Sequence, residues 1–359
     1  MATFLITDSD NWIVNNNFHY LLGFQPSLWG ILLQNDKVHI FLDKRYFAKT
    51  KRLNKKELSN KAWKKEVEYH ELNWPLVDAM LLSIPDSKSI QLEQNLTLKY
   101  YHDIDDKSDL GLGWKWKKIV VIENYFDEKR IIKDDNEIKE IKHAVDVIDK
   151  VSMHIQYLVD TEQMQGKTES EIRAIIINQL LKFGWEDESF EAIVAFWEHS
   201  SIAHHTAWDT IIWNGPLLID MWAKYHGYCS DFTRTFWIWK KNDDYDEYQN
   251  IYKSVKKAHI KATLWARVGM KASQIDLLAR KSIEKDGYGD YFSHSTWHGI
   301  WISIHERPWI NRMSDEVIKT WMVFTIEPWI YIPGKFWVRI ENIVVAKEER
   351  IKCLSKVLY

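Results

Sequence analysis

Only two cysteines, Cys229 and Cys353, occur in 359 residues. That is too few for a disulfide framework and points to a reducing, cytoplasmic setting. Excess positive charge is also absent: 48 Lys and Arg face 51 Asp and Glu, a net charge of −3. Neither nucleic acid nor an anionic membrane is expected as a partner. No stretch reaches the roughly 18 apolar residues that a membrane helix needs. The opening MATFLITDSDNW has no basic region followed by an apolar run, so no signal peptide is expected. Glycine is scarce as well: the chain has 13 Gly and 20 Trp, where average usage would give roughly 25 Gly and few Trp. The shortfall of one matches the surplus of the other, as though glycines had been exchanged for tryptophans.

What is present is a composition with ample core material, 46% hydrophobic and 28% charged, and a length that suggests two domains. Residues 1–126 read as mixed α/β. Gly30–Gln34 and Val38–Leu42 are β-rich runs separated by Asn35-Asp36, a hairpin pattern, and Lys115–Glu123 reads as another strand. After the charged stretch Asp127–Asp135, the apolar residues Ile138, Ile141, Val145, Ile148, Val151 and Ile155 recur at three- and four-residue steps, one face of a helix. The boundary is placed at residue 130, giving domains 1–130 and 131–359. In the second, Thr168 and Glu171 form a capping-box signal, and an apolar run ends at Gly184. Helical patterns cover Asp243–Val268 and Ser273–Lys285, each closed by a glycine. Strand-like runs cover Pro216–Tyr225, Tyr228–Trp239, Trp321–Tyr331 and Trp337–Ala346. The predicted class is α+β.

Four of these segments carry acids or imidazoles where a strand interior should be apolar. Asp220 and Asp231 lie in two runs joined through His226-Gly227, and a turn there would bring their carboxylates together. His294, His298 and His305 fall in HSTWHGIWISIHE, Glu327 in VFTIEP, and Glu341 in VRIENIVV. A buried unpaired carboxylate costs several kcal/mol or is neutralised, so four of them require shared positive charge. Arg234 and Arg339 supply some. One imidazole and four carboxylates also suit a pair of divalent ions, Mn²⁺ or Co²⁺ first, with Zn²⁺ or Fe²⁺ as further candidates. Two such ions about 3.5–4 Å apart hold a water, lower its pKa and polarise a carbonyl. Each residue has a bland explanation alone: an Asp at a strand edge, a satisfied core histidine, a Glu paired with Arg339. Five in one order are far more specific than any member.

That order, Asp220, Asp231, His298, Glu327, Glu341, in the contexts LLID, SDFTRTF, HGI, TIEP and VRIEN, resembles the pita-bread metallopeptidases. These include Xaa-Pro aminopeptidase, Xaa-Pro dipeptidase (prolidase) and methionine aminopeptidase. The resemblance covers about residues 130–359. NFHYLLGF and FLDKRYF in the first region resemble the creatinase/prolidase amino-terminal domain, which points to the Xaa-Pro branch.

The resemblance implies a mixed α/β creatinase-like domain followed by a pita-bread domain. It implies metal ligation by Asp220, Asp231, His298, Glu327 and Glu341, with Glu327 also the general base. His305 would shuttle a proton or stabilise the reaction intermediate, His204 would support the ligands or contact substrate, His294 would line the substrate pocket, and Arg339 would orient the bridging carboxylates. Thr233 and Arg234 would support the ligand shell, while His205 reads as a neighbour without a role. The implied reaction is hydrolysis of the N-terminal Xaa-Pro bond of small peptides through a metal-bridging hydroxide, by an enzyme of a family in which homodimers are common.

Xaa-Pro dipeptidase is an alternative, and metal-free creatinase-type hydrolysis a more distant one, disfavoured by the retained ligands. A non-catalytic binding module is the competing class, because tryptophans crowd the motifs. Where this chain has Trp197, Trp222, Trp239, Trp297, Trp301, Trp321, Trp329 and Trp337, the family typically has Gly. Some bacterial lineages read the codon UGA as glycine, and translating such a gene with UGA as Trp gives this signature. Glycine is therefore the expected natural residue at these eight positions.

Overall fold

The computed structural model describes residues 2–8, 15–22, 28–34, 37–44, 66–73, 75–84, 89–94, 96–109, 118–123, 125–184, 191–202, 205–292, 297–357 and 359. They fall into two compact units, Met1–Arg130 and Ile131–Tyr359.

The first unit is a mixed sheet of β1 (Ala2–Asp8), β2 (Leu28–Gln34), β3 (Lys37–Leu42), β4 (Glu66–Glu71), β5 (Ser89–Glu93) and β6 (Lys118–Ile122), in the order β4-β3-β2-β1-β5-β6. The central pairs β1–β2 and β2–β3 are antiparallel and the outer ones parallel. Successive side chains of a strand point to opposite faces, and here both faces are covered. Phe4, Leu32 and Phe41 meet Leu76 and Met80 of α2 (Leu76–Leu82) and Ile104 of α3 (Leu98–Asp109). Leu5, Ile31 and Ile40 meet Phe18 of α1 (Asn17–Leu22) and Phe126 of α4 (Tyr125–Arg130). Gln34 pairs with Lys37, as the predicted hairpin requires, although its turn residues 35–36 lie outside the described residues.

The second unit opens with α5 (Asp135–Asp160) and α6 (Glu169–Lys182). Both begin with reciprocal capping boxes: Asp134 accepts from the Glu137 amide while Glu137 accepts from Asp134, and Thr168 and Glu171 do the same. Strands β7 (Ile193–Phe196), β8 (Gly215–Met221) and β11 (Phe232–Ile238) form a three-stranded antiparallel sheet, order β11-β8-β7. Between β8 and β11 lies a small hairpin of β9 (Lys224–Tyr225) and β10 (Tyr228–Cys229). Its turn, His226-Gly227, has φ of 47° and 79°, the positive pair that matches strand twist in a two-residue loop.

Helices α7 (Asp243–Trp265) and α8 (Ala272–Lys285) precede β12 (Trp297–Gly299), β13 (Glu306–Ile310), β14 (Val323–Ile326), β15 (Trp329–Tyr331), β16 (Trp337–Arg339), β17 (Asn342–Lys347) and β18 (Arg350–Cys353). Five of these make an antiparallel sheet, order β13-β12-β14-β17-β18, and β15 pairs with β16. Ile148, Val151, Ile155, Ile172 and Ile176 of α5 and α6 cover the three-stranded sheet through Val194, Leu217 and Ile219. Ile251, Val255, Ala258, Ile275 and Ala279 of α7 and α8 cover the five-stranded one through Phe324, Ile326 and Val344. Two curved half-sheets, each backed by a helix pair, make the pita-bread fold.

The long strand-like runs are broken in the structure. Trp321–Tyr331 divides at Glu327-Pro328, and Trp337–Ala346 divides at Ile340-Glu341. Pro328 has no N–H for a central ladder, and at both breaks the backbone releases a carboxylate from the pleat. Of the four acids expected in strand interiors, only Asp220 lies inside a strand; Asp231 immediately precedes β11.

Candidate metal centre

The register of the two half-sheets assembles the site. In the three-stranded sheet Asp220 pairs with Thr233, so Asp231 sits one residue before β11 and close to Asp220. In the five-stranded sheet Ile326 pairs with Asn342, so Glu327 and Glu341, one step beyond, leave their strands opposite each other. His298 comes from β12, which lies beside β14. All five side chains belong to residues no more than 8% exposed. His298 Nε2 stands 3.7 Å from Asp231 Oδ2 and 3.5 Å from Glu327 Oε1. Ligand atoms of Asp231, His298 and Glu341 all lie within 4.8 Å of one another.

Neutral hydroxyls and one guanidinium hold this shell in place. Thr233 Oγ1 donates to Glu341 Oε2 at 2.6 Å and accepts from Arg339 Nε at 3.0 Å. Arg339 Nη2 donates to Asp220 Oδ2. Thr325 Oγ1 donates to Glu327 Oε1 at 2.9 Å and accepts from the His298 amide at 3.3 Å. Arg234 stitches the two half-sheets together, donating to the carbonyls of Thr233, Glu341 and Val357 and to Asn342 Oδ1. Among the described residues these four acceptors are neutral oxygens, and Arg339 is the cation seen bonded to a carboxylate of the site.

The electrostatics follow from that shortage. Burial, then the charges of Glu341, Asp220 and Glu327, lifts Asp231 well above the usual carboxylate range. Burial and Glu341 lift Glu327 likewise. Glu341 is raised to about 7, by burial first and Asp220 second. Burial alone would lower Arg339, but Asp220 and the other three carboxylates outweigh it and raise it. His298 is lowered to about 3 by burial and by His305, so its imidazole is a neutral lone-pair donor. Asp220 Oδ1 is buried with no hydrogen-bond partner. Four buried carboxylates, a neutral imidazole and an orphaned carboxylate oxygen fit divalent cations.

His305 is exposed, and its ring stands edge-on to His298, centroids 4.4 Å apart. His204 and His294 lie outside the described residues. His205 is buried, and its Nε2 bonds Glu169 Oε2 at 2.8 Å. Glu169 is fully buried at the start of α6. It also accepts from His199 Nδ1 and from the amides of Phe196 and Trp208. Neither Glu169 nor His199 stands out in the sequence, since Glu169 looks like one more acid in a helix's first turn. Thr325 had a readable signal, two residues before Glu327 and so on the same face of the chain.

Residues 139–348 match metallopeptidase family M24, and the chain belongs to that family. It is 32% identical over 342 residues to an Xaa-Pro dipeptidase of Pyrococcus furiosus, covering 95% of this chain and 91% of that protein. It is similar in structure to an X-Pro aminopeptidase from Thermotoga maritima, with a TM-score of 0.85 and 29% identity over 99% of this chain and 95% of the other. The prolidase from Pyrococcus furiosus superposes with a TM-score of 0.83 and 28% identity over 99% and 96%. Family and fold together make the chain a metallo-exopeptidase of the Xaa-Pro branch.

Proposed function

We propose that the chain cleaves the peptide bond between an N-terminal residue and the proline that follows it, with Asp220, Asp231, His298, Glu327 and Glu341 holding two divalent ions. The observation that carries this reading is the buried acid shell, in which Arg339 cannot balance four carboxylates. Mn²⁺ or Co²⁺ suits this oxygen-rich set, and two such ions, when bound, lower the pKa of a water and polarise the scissile carbonyl.

The residues divide the remaining work. Glu327, oriented by Thr325, takes a proton from the attacking water and returns it to the proline nitrogen as the C–N bond breaks. His305, exposed beside His298, donates to the developing oxyanion. Arg339 and Thr233 fix Asp220 and Glu341 in position. His204 and His294 are assigned to substrate by the family resemblance. Neither Cys229 nor Cys353 forms a disulfide among the described residues, which suits a cytoplasmic enzyme.

Xaa-Pro dipeptides are the preferred substrate in this reading, because two relatives matched over 95% of this chain are named Xaa-Pro dipeptidase. The likeness to an X-Pro aminopeptidase favours a second reading, in which longer peptides are cleaved at the same bond. Purified protein with Mn²⁺ or Co²⁺ tests both. Release of the first residue from Xaa-Pro with a higher kcat/KM than from Xaa-Pro-Yaa supports the dipeptidase, and the reverse order supports the aminopeptidase. No release from either with any metal refutes the peptidase assignment, and full activity in Asp220→Ala refutes the assignment of the metal ligands.

A further inference from the structure

We propose that the first unit carries its own metal site, in which His39, Glu68 and His70 bind one divalent transition ion of the Zn²⁺ type. His39 on β3 is paired in register with Glu68 on the parallel edge strand β4. His70 lies two residues further along β4 and therefore on the same face. The same three atoms define every side of the cluster. His39 Nδ1 is 2.9 Å from His70 Nε2 and 3.2 Å from Glu68 Oε2, and His70 Nε2 is 3.9 Å from that same oxygen. Bonds of about 2.0–2.2 Å from a tetrahedral ion would separate its ligands by roughly 3.3–3.6 Å, and the three distances bracket that range.

The rings are preset. His70 stacks on Phe41, centroids 4.8 Å apart and planes 17° apart, and His39 is buried with its side chain 8% exposed. Glu68 and His70 remain about one-third exposed, which leaves an entry path and an open coordination position for water. Burial lowers both imidazoles, so their lone pairs are available. The Glu169 cluster of the second unit differs in kind. There His199 and His205 approach different oxygens of the carboxylate, and each oxygen also accepts a backbone amide. Glu169 is thus satisfied as a hydrogen-bond hub.

Lys37 bonds the other oxygen of Glu68, and its charge opposes a cation. The full chain, stripped with EDTA and titrated with Zn²⁺, tests the proposal. His70→Asn and His39→Gln should each bind one equivalent fewer than the native chain while Mn²⁺-dependent peptidase activity is unchanged. Lys37→Ala should bind that equivalent several-fold more tightly. Equal stoichiometry in the native chain and both histidine variants overturns the site, as does unchanged affinity in Lys37→Ala.

A different observation carries a second inference. Trp197, Trp239 and Trp321 have φ of 51°, 67° and 69°, the left-handed region that bulky L residues avoid and glycine enters freely. All three are among the eight positions where the resembled family has glycine. Others of the eight are crowded inside. Trp222, Trp297 and Trp301 are at most 2% exposed, and the indole N–H groups of Trp297 and Trp337 are buried without an acceptor. We infer that the cell that makes this protein decodes these positions as glycine. UGA codons in the gene, and an intact mass of the native protein lower by one indolylmethyl group per position, are expected. UGG at positions 197, 239 and 321, or the mass of the full tryptophan sequence, overturns it. In recombinant protein Trp321→Gly should raise the unfolding midpoint by roughly 2–4 °C, whereas Trp309→Gly, in the strand β13, should lower it. A lowered midpoint in Trp321→Gly also refutes the inference.

Discussion

Replacing Glu341 by Gln is expected to stabilise the metal-free protein at alkaline pH and destabilise the metal-loaded one. Glu341 is held at about 7 in the folded chain against an ordinary value of 4.5, the value it regains on unfolding. A carboxyl raised in this way favours the folded state below 4.5, where it is protonated in both states, and that advantage is lost as the pH climbs through about 7. At about 1.4 kcal/mol per tenfold in proton affinity, the full loss is about 3 kcal/mol. Glutamine imitates the protonated form and can still accept from Thr233 Oγ1, so the variant does not pay this cost. His298 and His259, each lowered to about 3 chiefly by burial, move stability the opposite way below pH 6.5, but they are common to both proteins and cancel in the difference. Thermal melts in EDTA should therefore show similar midpoints at pH 4.5 and a midpoint roughly 6–12 °C higher for the variant at pH 8. With saturating Mn²⁺ the order should reverse, because the native carboxylate gains a cation that the amide cannot hold. A difference that does not widen with pH in EDTA would refute the electrostatic account of the site.

Three further perturbations probe the supports. Thr233→Val removes the donor to Glu341 and the acceptor for Arg339, so kcat/KM should fall about 10–100-fold while the fold is retained, read from initial rates and circular dichroism. Arg234→Met removes the guanidinium donor from the Glu341 carbonyl and Asn342 Oδ1, while the Thr233 and Val357 carbonyls keep the Glu341 amide and Ser355 Oγ, and should cost about 2–3 kcal/mol, measured as a lower urea midpoint. Glu169→Gln trades the charge that holds His199 and His205 for an amide that cannot accept from all four donors. It should cost about 2 kcal/mol, measured as a lower urea midpoint, with little change in bound Mn²⁺ by atomic absorption.

The five proposed ligands were legible because each breaks a local rule: an acid or imidazole amid Ile, Val and Leu violates strand patterning wherever it occurs. The helices α5 to α8 were legible for the complementary reason, since their apolar steps and capping residues obey the rules. The break at Glu327 had a signal in Pro328, which lacks the N–H a central ladder needs, whereas the break at Glu341 had none, because Val338–Val345 carries β-formers on both sides of it. Glu169, His199 and His205 were hidden differently. Their bonds span 30 and 36 positions, and no short-range pattern records which acid a distant histidine will meet. His39, Glu68 and His70 were missed because their alignment depends on the parallel pairing of β3 with β4, which crosses a long connection.

Asp220 and Asp231 arrive on one helix-backed half-sheet and His298, Glu327 and Glu341 on the other, with Arg234 as a stitch between them. Neither half contains a complete set of ligands, so each is chemically silent alone. Under the proposed ligation the centre works as an AND gate on folding: a chain with one half unfolded would have nowhere to hold the ions and could not hydrolyse peptides at random. The same arrangement would make bound ions a clasp across the seam. Chelation should loosen amide protection first where the half-sheets meet, at Thr233 and Glu341, while the helix-backed cores behind them stay closed.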